Sequence, residues 1–592
     1  MTQESTRPFR LAPTGGVTFY PRMFGKRGAV AAEHYSAALA GIEILRQGGN
    51  AVDAACAATL VEGVVNPQMH TIGGELPILI SAPDRNDVVC INGNMAAPGK
   101  ATPQAFRDLG HSEIPSEGVL AAGVPGAIGA ILEALSRFGR LRFEDVAARA
   151  IELARDGFPA HSGLIRQHKS GITDNFQKFL GWPGTAGLYL PGGQIPAEGS
   201  LICNPALAAM YAYLVSREKA CTGDRKARLW AVFDEFYRGA IAGEIVRFVK
   251  DRGGLLEKAD FDRFEIPVET SVHIEFAGAE IHKCGPWNQG PALLQSLTIL
   301  RNFDLRGLGH NSADYVHVVL EAMKLAFADR EQFYGDPSQV HVPLNTLLSD
   351  EYGAMRAKLI GDRANAEIRP GDPLRSAALL PARERLGGAA WGAGTVHVDA
   401  MDSDGFTAAF TPSGGWIRSS EVIPSLGFPL SMRLSNCYLE PARHPNVVAP
   451  FKRPRTTISP SLARKDGKAW LAFGSMGGDQ QDQWQLQFLL NRLVFGMPLQ
   501  AAIEAPKFSS EHFPGFFAPH DFFLNRVRAE PELGEPVLNE LGNRGHDVDV
   551  GSSWSEGFLC AAERSLENGV LEAGCDPRGT KSEVFPACAL AI

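Results

Sequence analysis

The 592-residue sequence predicts a mixed α+β protein, because two kinds of apolar pattern alternate along it. Apolar residues recur at helical spacing in residues 35–47 and 313–334. Short alternating runs joined by turn residues predict β-hairpins in residues 396–411 and 456–474. Hydrophobic residues make up 45% of the chain and charged residues 21%, which is typical of a globular protein with a large core.

The N-terminal half is predicted to begin with a loose arm over residues 1–27. Gly48-Gly49-Asn50 ends one helix and begins the next, and the alanines of the second helix indicate close packing. Residues 160–260 are mostly helical in pattern. The predicted strands are 28–32, 76–81, 88–92 and 272–281, and the predicted helices are 35–47, 51–65, 127–137, 141–155, 286–295 and 313–334.

The C-terminal half follows a segment of different composition. Residues 361–391 are rich in Ala, Arg, Gly and Pro without periodicity, which predicts a surface linker. Asp466-Gly467 favours a tight hairpin turn. A strand then runs through residues 475–479 into a helix with one apolar stripe. The predicted strands are 396–401, 406–411, 456–463, 468–474, 558–562 and 569–574.

Charge and cysteine content exclude several classes of function. A net charge of −9 and a pI near 6.0 give no electrostatic reason to expect a nucleic-acid or membrane partner. Nine scattered cysteines, an odd number without a CxxC pair, predict reduced thiols and a cytoplasmic location. Residues 1–30 contain no signal-peptide pattern, and no run of about 18 apolar residues predicts a membrane span.

Common catalytic and cofactor motifs are missing. The fifteen histidines form no HExxH or HxxxH pair, no GxSxG elbow occurs, and Gly73-Gly74 lacks the spacing of a phosphate loop. No metal and no cofactor is therefore expected. Asp399 and Asp402 flank a turn and are expected to be solvated or to cap it.

Thr395 is the candidate nucleophile, if the Gly394–Thr395 peptide bond is cut. A threonine hydroxyl needs a base, and an N-terminal threonine carries one in its α-amine, which titrates near ~8 in peptides. Gly477 and Gly478 lie where a strand meets a helix N-terminus, so their amides can serve as an oxyanion hole. The alternatives are an ordinary hairpin at Thr395 and a simple strand–helix connection at the glycines.

An ordered set of motifs over about residues 28 to 580 resembles the γ-glutamyltransferase family of N-terminal nucleophile hydrolases. The first part precedes Thr395 and the second begins with it. The motifs are residues 48–55, 72–74, 121–126, 328–330 and 335–337, then Thr395 with His397, residues 452–454 with 459–460, 474–475 with 477–478, and 576–578.

The resemblance implies a four-layer αββα sandwich made of two interleaved subunits from one precursor. Residues 1–394, with the linker 361–391, would form the large subunit, and residues 395–592 the small subunit. Thr395 would be the nucleophile and cleavage residue, with Gly477 and Gly478 as the oxyanion hole. The family's paired serines near the glutamyl group fall on Thr456 and Thr457.

The sequence departs from the family where a glutamyl substrate would be recognised. The family's arginine for the α-carboxylate falls on Asn94, and its aspartate for the α-amine on Asn436. An asparagine provides no cationic fork. A helper asparagine falls near Gly414 or Gly415, and Val396 replaces a second threonine.

These observations predict a self-processing amide hydrolase acting on a carboxylated small amide that is not a γ-glutamyl compound, like oxamate amidohydrolase or an acylase. Arg418 and Arg433 are candidate cations for the carboxylate, and the alternative is that both are surface arginines. One alternative is a true γ-glutamyl hydrolase or transferase. Another is an unprocessed binding protein. The expected assembly is one or two α/β heterodimers.

Overall fold

The computed structural model describes residues 18–374, 379, 394–581 and 587–592. Most of its strands belong to two large antiparallel sheets. In chain order the strands are β1 (Met23–Gly25), β2 (Gly28–Ala32), β3 (Leu76–Ser81), β4 (Val88–Gly93), β5 (Phe158–Pro159), β6 (Leu201–Ile202), β7 (Val268–Thr270), β8 (Val272–Phe276), β9 (Ala279–Lys283), β10 (Val398–Asp402), β11 (Thr407–Phe410), β12 (Ser461–Lys465), β13 (Lys468–Ser475), β14 (Phe508–Ser510), β15 (Arg526–Ala529), β16 (Asp547–Val550), β17 (Leu559–Arg564), β18 (Leu571–Cys575) and β19 (Cys588–Ala591).

The helices flank these sheets. Over the ranges given above, no helix is both long and apolar enough to cross a membrane. In chain order they are α1 (Tyr35–Arg46), α2 (Ala51–Val65), α3 (Pro103–Asp108), α4 (Ala127–Phe138), α5 (Phe143–Asp156), α6 (Ser162–Arg166), α7 (Ile172–Leu180), α8 (Pro183–Tyr189), α9 (Pro205–Ala220), α10 (Arg225–Tyr237), α11 (Ala240–Lys250), α12 (Lys258–Asp262), α13 (Pro291–Leu300), α14 (Leu305–Leu308), α15 (Ala313–Phe333), α16 (Leu344–Leu347), α17 (Asp350–Ala357), α18 (Gln481–Leu493), α19 (Leu499–Glu504), α20 (Glu535–Asn543) and α21 (Arg578–Lys581).

Each large sheet has seven strands, and all of the pairings within it are antiparallel. The first sheet has the order β1-β18-β17-β13-β12-β9-β8. The second has the order β19-β2-β10-β11-β3-β4-β7. Both therefore combine strands that precede Thr395 with strands that follow it.

One apolar cluster joins strands of both sheets, and each sheet also shares a cluster with helices. Successive strand residues point to opposite faces. On β2, Ala29 belongs to an apolar cluster shared by strands of both sheets, whereas Val30 belongs to the cluster that holds α1, α2 and α4. On β13, Ala472 joins the cluster between the sheets, and Phe473 packs with α13, α15 and α18.

The predicted elements are largely confirmed, including α1, α2, β3, β4, α15 and the hairpin after Thr395. The single strand predicted over residues 272–281 is wrong. It is the hairpin β8–β9, which turns at Ala277 and Gly278, with φ values of 49° and 78°. The helix predicted over 286–295 is α13, which begins only at Pro291, and the strand predicted from residue 456 begins at Ser461.

Strand β10 is an inner strand that begins three residues after Thr395. It pairs with β2 from Val398–Ala32 to Asp402–Gly28 on one side and with β11 on the other. At its end Asp402 is buried, and its Oδ1 accepts the amides of Asp404, Gly405 and Phe406 at 2.9, 2.9 and 3.1 Å. Its Oδ2 accepts the amide of Ala51 at the start of α2, at 2.8 Å. The expected capping role is confirmed.

We expect Asp402→Ala to lower the free energy of unfolding by about 2–4 kcal/mol, because four backbone amides lose a charged acceptor. Urea unfolding of wild type and variant measures this loss. Asp404→Ala is the matched control on the same turn, since its side chain is 52% exposed in an ion pair with Arg140 and should contribute less than about 1 kcal/mol. Equal losses in the two variants would contradict the capping role.

Candidate active site around Thr395

Thr395 lies in a buried polar site at the entrance to β10. It forms an isolated antiparallel bridge with Ser413, and the amide of Val396 donates to the Pro412 carbonyl at 3.0 Å. The Thr395 side chain is 2% exposed, and its Oγ1 lies 3.0 Å from Ser413 Oγ. The backbone on both sides of the hydroxyl is therefore held in place.

The carbonyl of Gly394, which belongs to the peptide bond before Thr395, is held by two side-chain donors. Ser413 Oγ donates to its oxygen at 2.8 Å and Trp416 Nε1 at 2.7 Å. The same indole N–H also lies 2.8 Å from the Met69 carbonyl oxygen. A side chain at position 394 would meet the Gln68 carbonyl at 2.5 Å, so the site requires glycine.

Arg433 connects several parts of this site. Its guanidinium pairs with Glu75 at 3.1 Å and donates to Ser413 Oγ at 2.9 Å. Its Cζ also lies 5.0 Å from the ring centroid of Trp416. Arg433 is 2% exposed, so the surface-arginine alternative is wrong for this residue. Burial raises the pKa of Glu75, and the neighbouring Arg433 opposes that rise.

Arg418 also lies over Trp416, with its Cζ 4.7 Å from the ring centroid. Burial lowers the pKa of Arg418 to about 10, with Arg433 acting in the same direction and Glu117 against it. The two predicted cations are therefore neighbours on one aromatic ring. This geometry places them within the site rather than on an unrelated surface.

Gly477 and Gly478 form the predicted connection between β13 and a helix. Both have positive φ, 119° and 59°, and a 3₁₀ turn over Gly478–Gln480 leads into α18. Gln289 Nε2 donates to the Gly478 carbonyl at 3.2 Å, and Arg330 donates to Gln289 Oε1 at 3.1 Å. This side-chain support fixes the turn at the helix N-terminus.

The glycine turn and the Thr395 segment meet through shared packing. Val396 and Met476, the neighbours of Thr395 and Gly477, belong to one apolar cluster with Met69, Trp484 and Phe558. A Cβ at Gly474 would lie 2.3 Å from the His397 ring. The structure therefore brings the predicted nucleophile and the predicted oxyanion glycines to one place.

His397 and Asp399, which follow Thr395 closely in the chain, form a buried pair. His397 Nε2 lies 2.9 Å from Asp399 Oδ1, and its Nδ1 lies 2.8 Å from Thr411 Oγ1. Burial raises the pKa of Asp399 to about 6, and His397 opposes the rise. The expectation that Asp399 is solvated or caps a turn is wrong, because its carboxylate is fully buried against His397.

The four residues that the resemblance places near the substrate are buried, but their contacts differ. Asn94 Nδ2 donates to the Pro454 carbonyl at 2.5 Å. Within the described residues, no hydrogen-bond partner is found for the side-chain amide of Asn436. The Thr456 amide donates to the Trp287 carbonyl at 3.0 Å, and the Gln289 amide donates to the Thr456 carbonyl at 2.9 Å. Thr457 is 2% exposed beside it.

Sequence reasoning missed four residues that shape this site: Glu75, Gln289, Ser413 and Trp416. Ser413 and Trp416 flank Gly414 and Gly415, the positions on which the family's helper asparagine falls. The missing asparagine was the signal that could have pointed to these two neighbours. Glu75 ends the Gly73-Gly74-Glu75 turn. In the described part of the chain, no group of three or more His, Cys, Asp or Glu side chains forms a metal site.

The two turn glycines should respond differently to substitution. A Cβ at Gly477 would meet the Trp484 ring at 2.4 Å, whereas a Cβ at Gly478 has nothing within 4 Å. We expect Gly477→Ala to cost about 2–4 kcal/mol of stability through strain and overpacking, and Gly478→Ala about 1–2 kcal/mol through its left-handed backbone alone. Urea unfolding of both variants decides the point, and a larger loss for Gly478→Ala would contradict it.

The gamma-glutamyltranspeptidase family model matches residues 37–585 of the chain. Among its relatives, the glutathione hydrolase proenzyme of Bacillus subtilis strain 168 is 30% identical over 543 residues, covering 89% of this chain and 87% of the relative. The match thus includes both the segment before Thr395 and the segment after it.

Solved structures extend the similarity to the fold. The structure of LmbA2991HD is 38% identical with a TM-score of 0.90, covering 97% of this chain and 100% of the other. Cephalosporin acylase from Bacillus halodurans is 27% identical with a TM-score of 0.83, covering 98% and 99%. The chain therefore belongs to the gamma-glutamyltranspeptidase family of N-terminal nucleophile hydrolases, and it is an enzyme of that hydrolase and acyltransferase class.

Proposed function

We propose that the precursor cuts itself between Gly394 and Thr395, and that Thr395 then attacks an amide substrate to form an acyl-enzyme. The observation that carries this proposal is the buried Thr395 hydroxyl, 3.0 Å from Ser413 Oγ, beside a carbonyl that two side chains already hold. The freed α-amine of Thr395 serves as the base, with a pKa near ~8 in unperturbed peptides.

The products are a large subunit of residues 1–394 and a small subunit of residues 395–592, interleaved in a four-layer αββα sandwich. Support comes from the sheet order, in which each sheet pairs strands from before Thr395 directly with strands from after it. Support also comes from the three apolar clusters, one between the sheets and one on each outer side. The assembly is one α/β heterodimer or a pair of them, without a cofactor.

Gly477 and Gly478 stabilise the oxyanion of the acyl-transfer step. Their amides stand at the N-terminal end of the segment that becomes α18, where the helix dipole favours negative charge. Gln289 holds the Gly478 carbonyl, which supports the turn that carries both amides. Thr456 and Thr457 line the same site on the substrate side.

The substrate is a small carboxylated amide without a γ-glutamyl group. A glutamyl zwitterion would require two charged partners, and Asn94 and Asn436 are both uncharged. The Asn94 side-chain amide also donates to the Pro454 carbonyl. Arg418 and Arg433, both over Trp416, are the cations available for a carboxylate. Of the two, Arg418 is partly exposed whereas Arg433 is 2% exposed, which favours Arg418 as the cation that a substrate can reach.

The second candidate is a true γ-glutamyl hydrolase or transferase. What favours it is the relative from Bacillus subtilis, whose name is glutathione hydrolase proenzyme. The acylase structure favours the first candidate. It covers 98% of this chain, compared with 89% for the glutathione hydrolase proenzyme.

Self-cleavage is tested by denaturing mass spectrometry of the purified protein over time. We expect two products, residues 1–394 and 395–592, from wild type, and a single intact chain from Thr395→Ala because the hydroxyl is lost. Thr395→Ser keeps a hydroxyl and is the matched control that should still be cut. A wild-type chain that stays intact after long incubation would refute the proposal.

Substrate class is tested by assaying the processed protein on a γ-glutamyl anilide, on oxamate and on simple acyl amides. We expect at least about tenfold higher kcat/KM on the best non-glutamyl amide, because two charges for a glutamyl group are missing. Arg418→Gln should raise KM for a carboxylated amide by about tenfold and leave its methyl ester unchanged. Efficient turnover of the γ-glutamyl anilide alone would establish the second candidate.

A further inference from the structure

We infer that the indole N–H of Trp416 is a catalytic oxyanion donor for self-cleavage of this chain, an inference that rests on the proposed function. Trp416 Nε1 donates to the oxygen of the very carbonyl that Thr395 would attack, at 2.7 Å. That oxygen is where negative charge develops in acyl transfer, and donors already aimed at it need no reorganisation. The donor differs from Gly477 and Gly478, which serve the substrate.

The step balances within the chain. Thr395 Oγ1 bonds to the Gly394 carbonyl carbon, and the carbonyl oxygen becomes an oxyanion. The bond from that carbon to the Thr395 nitrogen then breaks, and the hydroxyl proton ends on the nitrogen, leaving an ester and a free amine. Water hydrolyses the ester, which releases the Gly394 carboxylate and restores the Thr395 hydroxyl.

The shared hydrogen bond of Trp416 distinguishes this role from plain structural support. The N–H lies 2.7 Å from the Gly394 oxygen and 2.8 Å from the Met69 oxygen, so it is divided between two acceptors. The Met69 carbonyl alone would satisfy a buried indole. As charge grows on the Gly394 oxygen, the N–H shifts toward it, since charge-assisted hydrogen bonds are the stronger ones.

The two surrounding cations act in the same direction, and Glu75, which pairs with Arg433, offsets part of the charge of that arginine. Arg433 and Arg418 lie 5.0 and 4.7 Å from the Trp416 ring centroid, so two cations flank the region in which the oxyanion forms. Arg433 also donates to Ser413 Oγ at 2.9 Å, which leaves the Ser413 hydroxyl proton for the Gly394 oxygen. The full burial of Trp416 keeps water from screening these interactions.

Trp416→Phe tests the inference, because it keeps an aromatic ring for the arginines and removes the donor, together with part of the ring volume. We expect precursor self-cleavage to slow by about 10²-fold, as for loss of one oxyanion donor elsewhere. Trp470→Phe is the matched control, since its buried indole donates to Glu563 at 3.0 Å on the outer part of β13, and its rate should be that of wild type. Mass spectrometry gives the rates, and thermal melts compare folding.

Hydroxylamine separates a donor role from a later defect. It cleaves the ester, so it should accelerate a variant that is slow in ester hydrolysis but leave Trp416→Phe slow. If Trp416→Phe folds poorly, benzothienylalanine at position 416 keeps the shape and replaces N–H by sulfur. Cleavage of either folded variant at the wild-type rate, or full rescue by hydroxylamine, overturns the inference while self-cleavage of wild type stands. An uncut wild type overturns both.

Discussion

The pairing of β10 with β2 and β11 is the constraint on which the candidate site depends. Only Val396 and His397 lie between Thr395 and a strand that is hydrogen-bonded on both edges, so the position of Thr395 follows from the register of the sheet. A new chain end created at Thr395 would have little freedom to move away from its neighbours. The backbone at Thr395 is positioned by the same ladder that builds the core, whereas the carbonyl before it is held by the side chains of Ser413 and Trp416.

The buried pair of Arg433 and Glu75 orders the polar side of the site. Isolated charges are costly inside a protein, and this pair is tolerable because the guanidinium also finds Ser413 and the face of Trp416. Removing either partner would leave a buried charge without compensation. One ion pair thereby links the turn before β3 to the segment after β11, and it fixes both groups that contact the Gly394 carbonyl.

Local signals predicted the elements well, because they depend on neighbouring residues. Gly48 takes a φ of 93° and Asn50 forms a capping box with Asp53, as the GGN sequence indicates. The β8–β9 turn was not predicted, because Ala277 has a positive φ and alanine is not a residue typical of that conformation. The roles of Glu75 and Trp416 in the site were not predicted for another reason. Glu75 meets Arg433 across 358 positions and Trp416 meets Met69 across 347, and no spacing rule reaches so far.

The order of strands in the second sheet has a consequence for genetics. Strand β2 lies between β10 and β19, and β11 lies beside β3, so three main-chain ladders of this sheet join strands from the two sides of the proposed cleavage point. Two fragments joined in this way cannot exchange between molecules unless both sheets unfold. In a cell that expresses one allele defective before residue 394 and another defective after it, each precursor would keep its own defect. Such a pair of alleles would fail to complement.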